Sequence, residues 1–141
     1  MNWLFKEEPT HYSYDTLVTE GGTTWSGVKN PLAQKHLRSV QKGDRILFYH
    51  TGTEKAIVGL AKASGDSYPD PADPTRKSYV VDIVPDRLLE RRIPLSEIKA
   101  NGVFAGFALV RLPRLSVMPV GDAEWKEIER LEKVTPISDQ K

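Results

Sequence analysis

The run ILFYHTGTEKAIVGLAKAS, residues 46–64, joins two segments rich in strand-forming residues through a short turn. It predicts a hairpin-like pair of strands at 46–50 and 56–64. The following stretch, 65–77, contains three prolines and three aspartates. Because proline cannot donate to a sheet ladder, we expect an extended loop there and no central strand.

Further strand-like segments lie on both sides of this pair. NWLF, residues 2–5, predicts a short first strand that ends by Pro9. SYVVDIVPDRLL, residues 78–89, predicts another strand, with Pro85 near its end. The stretch 107–120 mixes strand formers with prolines, which is typical of a broken or edge strand.

Helix signals separate these segments. Ser13 is a suitable N-cap for a short helix that closes at Gly21. Asn30 followed by Pro31 predicts a second helix start, since the N–H that proline lacks is unpaired at the first helical position anyway. The sequence predicts two more helices, a short one or a turn at 94–101 and a last one capped by Asp122.

Strands and helices do not alternate regularly, so the predicted class is α+β. The expected architecture is a small mixed sheet or partly open barrel with helices packed outside it. The chain has 141 residues and no internal repeat or linker, which favours a single domain over residues 1–134. Residues 135–141 are expected to form a flexible tail.

Charge and composition limit the function classes. The formal net charge is only +1, whereas a protein that follows a long duplex is usually far more basic. A local patch for a few phosphates is therefore the most that we expect. There is no cysteine, which excludes disulfides and thiolate metal sites but leaves the redox compartment open. No apolar run approaches the roughly 18 residues of a membrane span, so we expect a cytoplasmic protein without membrane contact.

Signals for catalysis and metal binding are weak. His11, His36 and His50 lie in separate segments without the short spacing of a metal site, and we expect no metal and no cofactor. The glycines of GGTTWSG, residues 21–27, lack the phosphate-loop pattern, and TWSG lacks the first glycine of a nucleophile elbow. We therefore do not expect an enzyme.

Aromatic residues mixed with polar ones form the remaining pattern, mostly near strand ends in the first half of the chain. Aromatic faces stack on nucleobases, and neighbouring polar groups can read a base edge. Trp3 and Trp125 sit in core-like patterns, but residue patterns alone leave Trp25 and Tyr49 evenly divided between core and site. Trp25 reads as a loop residue just before the second helix.

Several motifs in order resemble the EVE domain family. They are WLFKEEPTHYSYDTL, TTWSGVKNPLAQKHLR, KGDRILFYHTG, AIVGLAKA, SYPDP and LVRLPRLSVMPV. The resemblance covers residues 1 to about 133. It implies a PUA-like fold, a pseudo-barrel of mixed strands with flanking helices, related to the YTH and ASCH domains. It also implies a nucleic-acid-binding module that reads a modified base, such as 5-methylcytosine in DNA or RNA, through an aromatic pocket.

The family motifs carry over to individual positions of this chain. The resemblance implies base-binding roles for Tyr12, Ser13, Trp25, Ser26, Gly27, Val28, Asn30, Tyr49 and His50. It implies phosphate-binding roles for Lys6, Lys29 and Arg114. Lys29 departs from the arginine usual there, and lysine cannot make a bidentate fork. Pro31 stands where an aromatic residue is common, which removes one contact to a neighbouring base.

Three function classes follow from these observations. The favoured one is a non-catalytic reader of a modified base, expected to act as a monomer with a nucleic-acid partner. The second is an enzyme, such as a nuclease of the ASCH type. The third is a small-molecule or protein-interaction module that retains the fold without binding nucleic acid.

Overall fold

The fold was described from a computed structural model, which defines residues 1–134. Its strands and helices lie as follows: β1 Asn2–Glu7, α1 Tyr14–Glu20, β2 Thr23–Trp25, α2 Pro31–Arg38, β3 Arg45–His50, β4 Ala56–Ala63, β5 Tyr68–Pro69, β6 Tyr79–Pro94, α3 Leu95–Lys99, α4 Ala108–Arg111, β7 Val117–Val120 and α5 Asp122–Leu131. A turn of 3₁₀ helix, Gly102–Phe104, lies between α3 and α4. The expected tail, 135–141, lies outside the described residues.

The strands form one mixed sheet in the order β2-β6-β4-β3-β1-β7, with β5 paired to β6. β1 and β3 are parallel, and the other pairs are antiparallel. A parallel pair needs a crossover connection, which α1, β2 and α2 supply. The sheet curls into a half-barrel with helices on its outside, which confirms the predicted α+β class.

The central hairpin forms because β3 and β4 are apolar on both faces. Every residue of β3 from Ile46 to His50 is buried, and β4 is buried except at Lys62. Gly59 of β4 allows the ring of Tyr14 to pack against the strand, since a Cβ there would lie 2.6 Å from that ring. α1 is thereby held against the sheet.

The predicted caps of the first two helices are confirmed. Ser13 Oγ accepts the Thr16 N–H at 3.1 Å, and Gly21 ends α1 with φ +78°. Asn30 Oδ1 accepts the Ala33 N–H at 3.0 Å, which caps α2. These signals were readable because a cap is a contact between residues close in sequence.

Several boundaries differ from the prediction. Residues 107–120 are not one broken strand, because Ala108–Arg111 forms a helical turn and only Val117–Val120 pairs, along β1. The last helix is capped by Gly121, whose N–H donates to Glu124 Oε1 at 2.9 Å, so Asp122 is its first residue and not its cap. The predicted loop 65–77 includes the short strand β5.

The longest strand also exceeds its predicted limits. β6 continues through Pro85 to Pro94. Pro85 pairs with Ala61 beside an irregularity in the β4–β6 register, a position where a missing N–H is tolerated. The prediction that Trp25 lies on a loop is wrong, because Trp25 ends β2 and pairs with Val81 of β6.

Candidate nucleic-acid interface

A cavity of about 210 Å³ opens beside Trp25. Its wall is formed by the end of β1, the turn before α1, and β2. The seven lining residues are Glu7, His11, Tyr12, Thr23, Thr24, Trp25 and Ser26. Sequence reasoning predicted three of these, Tyr12, Trp25 and Ser26, as base-binding residues, and the structure brings those three together.

Trp25 contributes to this wall from within the hydrophobic core. Only 6% of the residue is exposed. Its ring lies 5.3 Å from that of Phe5 and 5.5 Å from that of Phe48, between ring centroids, and Tyr12 meets it edge-on at 6.4 Å. The indole is therefore a core residue that also borders the cavity, and it does not present an open face to solvent.

Tyr12 is the more accessible aromatic residue of the cavity. It is half-buried, and its hydroxyl donates to Glu20 Oε1 at 2.7 Å. Burial, together with the hydrogen bond to the Glu20 carboxylate, raises the pKa of the Tyr12 phenol. The phenol therefore stays protonated and bonded to α1, which fixes the position of its ring at the cavity rim.

The segment 26–30 runs from this cavity to a second one. Gly27 has φ +75° with open space where a side chain would be, so the backbone can make a turn that other residues adopt rarely. The segment is anchored because Gln34 Nε2 donates to the Val28 carbonyl at 2.6 Å and Asn30 caps α2. Its conformation is thus set by α2.

The second cavity measures about 300 Å³ and has cationic groups in its wall. It is lined by Asn30, Leu32, Arg111, Leu112, Pro113, Arg114 and Leu115. Arg111 and Arg114 are both exposed, as is Lys29 on the connecting segment. The predicted phosphate ligands Lys29 and Arg114 therefore lie on this side of the molecule. Arg111 joins them, although sequence reasoning had not singled it out.

The third predicted cation, Lys6, is placed differently. Its Nζ donates to the Pro113 carbonyl at 2.9 Å and lies 5.7 Å from the centroid of the Tyr49 ring. Burial lowers the pKa of Lys6 and raises that of Tyr49, whose residue is only 3% exposed. Neighbouring residues of a strand point to opposite faces of the sheet. Lys6 and Tyr49 therefore lie on the face opposite to Phe5 and Phe48, the two residues on which Trp25 packs.

Two further predicted residues are bonded within the fold. His50 Nε2 accepts the Tyr14 N–H at 3.0 Å, and its Nδ1 lies 2.7 Å from Glu54 Oε1. Ser13 Oγ is engaged in the cap of α1. Within residues 1–134, His50, Ser13 and Tyr49 are not among the residues that line the Trp25 cavity.

The cavity residues that sequence reasoning missed are Glu7, His11, Thr23 and Thr24. The sequence patterns assigned no base-binding role to Glu7 and did not predict β2. One signal was available: Glu7 follows Phe5 at a spacing of two on β1, so both side chains face the same side. His11 Nδ1 lies 3.3 Å from Glu7 Oε2, and Thr24 Oγ1 donates to Asp82 Oδ1 at 2.7 Å.

Within residues 1–134, no group of three or more His, Asp or Glu side chains is placed to hold a metal ion. No helix in that range is long and apolar enough to cross a membrane.

The sequence profile of the EVE domain matches residues 1–131 of the chain. The chain belongs to the EVE domain family. It is 29% identical to human thymocyte nuclear protein 1, an alignment that covers 96% of this chain and 75% of the human protein. The chicken protein of the same name is 31% identical, with 96% of this chain and 70% of that protein covered.

Solved structures of EVE-like proteins have the same architecture. A protein of Rhodopseudomonas palustris, solved by NMR, superposes with a TM-score of 0.89 at 37% identity, over 98% of this chain and 97% of that one. The human THYN1 protein, crystallised with DNA that contains 5-methylcytosine, superposes with a TM-score of 0.88 at 28% identity, over 96% of this chain and 99% of that one. These matches confirm the PUA-like fold implied by the motifs.

Proposed function

We propose that this EVE protein binds nucleic acid that carries a modified cytosine, such as 5-methylcytosine, and holds that base in the Trp25 cavity. The observation that carries the proposal is the pair of cavities joined by the segment 26–30, one with aromatic walls and the other with arginines. The human relative crystallised with 5-methylcytosine DNA supports the class of ligand.

The Trp25 cavity has the groups that a single unpaired base requires. Tyr12 provides an accessible ring for stacking, and such contacts are worth about 1–3 kcal/mol per base. Trp25 provides an apolar surface that excludes water, and the Ser26 hydroxyl can donate to a base edge or accept from it. Gly27, without a side chain, lets the backbone of the connecting segment approach the nucleotide.

The second cavity would hold the phosphates that flank this base. Arg111 and Arg114 line this cavity and are exposed, and Lys29 is exposed on the adjoining segment 26–30, whereas Lys6 is bonded to Pro113 and has a lowered pKa. We therefore assign the phosphate contacts to the first three and leave Lys6 out. Three cations fit a protein with a net charge of +1 that binds one nucleotide and its neighbours, not a long duplex.

Selection of the methyl group is expected to be modest. Burying one methyl is worth about 0.8 kcal/mol, a factor of about four in affinity. Leaving a buried polar group unpaired costs about 1–3 kcal/mol, so the choice among bases must come from hydrogen bonds. We thus propose weak preference for methylated over plain cytosine and stronger preference for cytosine over other bases.

We extend the proposal to a monomeric, non-catalytic protein of the cytoplasm, for which either DNA or RNA can serve as ligand. The fold is shared with an ASCH protein of Zymomonas mobilis at a TM-score of 0.59, over 92% of this chain and 94% of that one. That pair is only 13% identical, so the likeness concerns the fold alone.

The test is a binding panel of short single-stranded oligonucleotides, identical except for one central base that is plain, methylated or hydroxymethylated cytosine, or another base. Affinity is measured at several salt concentrations for the natural protein and for the double variant Arg111→Gln, Arg114→Gln. Removing two phosphate contacts should reduce the slope of log K against log salt by roughly 1.4, about 0.7 per contact.

Arg130→Gln is the matched control, because Arg130 is an exposed arginine on α5 that pairs with Glu127. It should leave the salt slope unchanged. Equal affinity for the oligonucleotides with cytosine and for those with another base would contradict the proposal. A salt slope that the double variant does not alter would contradict it too. Incubation with labelled RNA, with and without divalent metal, detects cleavage directly.

A further inference from the structure

Glu7 is the acidic member of the Trp25 cavity wall. Of the seven residues that form this wall, it supplies the carboxylate. It lies at the end of β1 on the same face as Phe5, the ring on which Trp25 packs. Its side chain is 28% exposed, so it is accessible from the cavity without being a freely moving surface group.

The Glu7 carboxylate is positioned but not saturated. Its Oε1 accepts the Glu8 N–H at 2.9 Å, and its Oε2 lies 3.3 Å from His11 Nδ1. A carboxylate has about four lone-pair positions and no hydrogen to donate. One contact on each oxygen fixes the group in place and leaves acceptor capacity for a ligand.

An acceptor in the wall distinguishes two bases that a methyl pocket cannot separate. 5-Methylcytosine and thymine carry the same methyl group on C5 and differ at C4, where cytosine has an amino group and thymine a carbonyl. The amino group donates to a carboxylate. The carbonyl of thymine would instead face a second acceptor, which leaves both groups without a donor.

We propose that Glu7 determines specificity at this site by accepting a hydrogen bond from the 4-amino group of the bound pyrimidine, an inference that rests on the proposed function. The site therefore takes 4-amino pyrimidines, methylated or not, and rejects their 4-oxo counterparts. A well-formed contact of this type separates the right base from the wrong one by a factor of about five to 150.

The experiment measures the affinity of the whole chain for four single-stranded oligonucleotides that differ only in one central base. The bases are 5-methylcytosine and thymine, which share the methyl, and cytosine and uracil, which lack it. The natural protein should prefer the amino member of each pair by at least about fivefold. In Glu7→Gln, the side-chain amide can donate to a carbonyl as well as accept from an amine, so both ratios should fall below about twofold.

Two further variants complete the test. Glu7→Ala removes the acceptor altogether and should also abolish the preference, and its melting temperature shows whether the fold is retained. Glu129→Gln removes the same charge from an exposed position on α5 and should keep the natural ratios.

The outcomes separate the inference from the function on which it depends. If the natural protein prefers the amino member of each pair but Glu7→Gln retains the natural ratios, the role of Glu7 is overturned and the proposed function stands. If the natural protein binds both members of each pair equally, the role of Glu7 fails together with the proposed preference for cytosine. If the natural protein binds none of the four oligonucleotides, the proposed function fails and the inference fails with it.

Discussion

A buried tryptophan lies near each end of β1, Trp3 on the strand itself and Trp25 on β2 against Phe5, but their surroundings differ. At the first end, Trp3 is 1% exposed and its Nε1–H donates to Asp44 Oδ2 at 2.9 Å. Asp44 also accepts the Gln41 N–H at 2.9 Å. At the other end, Trp25 is 6% exposed but borders a cavity of about 210 Å³ with polar groups around it.

Burial alone therefore does not distinguish a core aromatic residue from a site residue. Both indoles stabilise the fold. The second borders a cavity whose wall also carries a carboxylate and hydroxyl groups that retain hydrogen-bonding capacity. The following substitutions test this contrast between a closed end and an open end.

The largest expected effect is that of Trp25→Ala on stability. Removing a buried tryptophan that packs on Phe5 and Phe48 should lower the free energy of unfolding by about 3–5 kcal/mol, measured by chemical denaturation. Trp25→Phe, which keeps an aromatic ring, should lose much less. A loss below about 1 kcal/mol for Trp25→Ala would mean that the indole does not belong to the core. Binding studies should therefore use the phenylalanine variant.

Asp44→Ala tests the closed end. It leaves the buried Trp3 Nε1–H without its acceptor, which should cost about 1–3 kcal/mol at pH 7. Burial alone would raise the pKa of Asp44, but hydrogen bonds from Gln41 and Trp3 and the charge of the amino terminus outweigh it, so the pKa lies below 3.8. Equilibrium unfolding at a series of pH values measures the effect.

The sign of the pH dependence follows from that lowered pKa. The carboxylate is favoured in the folded state, so its stabilisation is complete above the unfolded value of 3.8 and is lost as the pH falls through the folded value. The stability gap between the natural protein and Asp44→Ala should therefore stay constant from pH 7 to about pH 4 and narrow below it. A stability difference that widens as the pH falls would contradict the role assigned to the Asp44 carboxylate.

Tyr12→Ala tests the open end. Loss of the stacking ring should weaken binding of a 5-methylcytosine oligonucleotide by a factor of about five to 150, measured by titration. Stability should change little, because Tyr12 is only half-buried. Tyr79→Ala is the matched control, since Tyr79 is also half-buried but lies on β6 against Arg38. Equal loss of affinity in both variants would count against a specific role for Tyr12.

The smallest effect is expected from Gly27→Ala. Its φ of +75° strains any residue with a side chain, so unfolding should become easier by about 1 kcal/mol. Gly21→Ala, with φ +78° and the same open space, should lose a similar amount of stability. Only the Gly27 variant should also lose oligonucleotide affinity. If the two variants bind equally well, the segment between the cavities does not contact the ligand.

Local features of this chain were predictable from sequence, whereas features formed by distant residues were not. The caps at Ser13 and Asn30 depend on neighbours three residues away, and both are confirmed. α4 was missed because LVRLP contains good strand formers, and the burial of Phe107 and Leu109 decides its conformation. The reach of β6 beyond Pro85 depends on a register irregularity opposite it.

The candidate site shows the same division. Motif resemblance selected Trp25, Ser26 and Tyr12, which line one cavity. It also selected Lys6 and Tyr49, which lie on the opposite face of the sheet because neighbouring strand residues point to alternate faces. Glu7 has one local signal, its spacing of two from Phe5 on β1, which gives the face of the strand but not the cavity. Arg111 carries no local signal of its role, since the turn at α4 brings it to the second cavity.

The most direct test of the account follows the indole N–H signals of the three tryptophans by NMR during titration with a 5-methylcytosine oligonucleotide. Trp25→Phe assigns one signal, and Trp3→Phe a second. We expect a large shift for Trp25 at saturation and little change for Trp3, whose N–H is bonded to Asp44, or for Trp125 on α5. A saturated complex in which the Trp25 signal stays in place, or moves no more than that of Trp3, would contradict it.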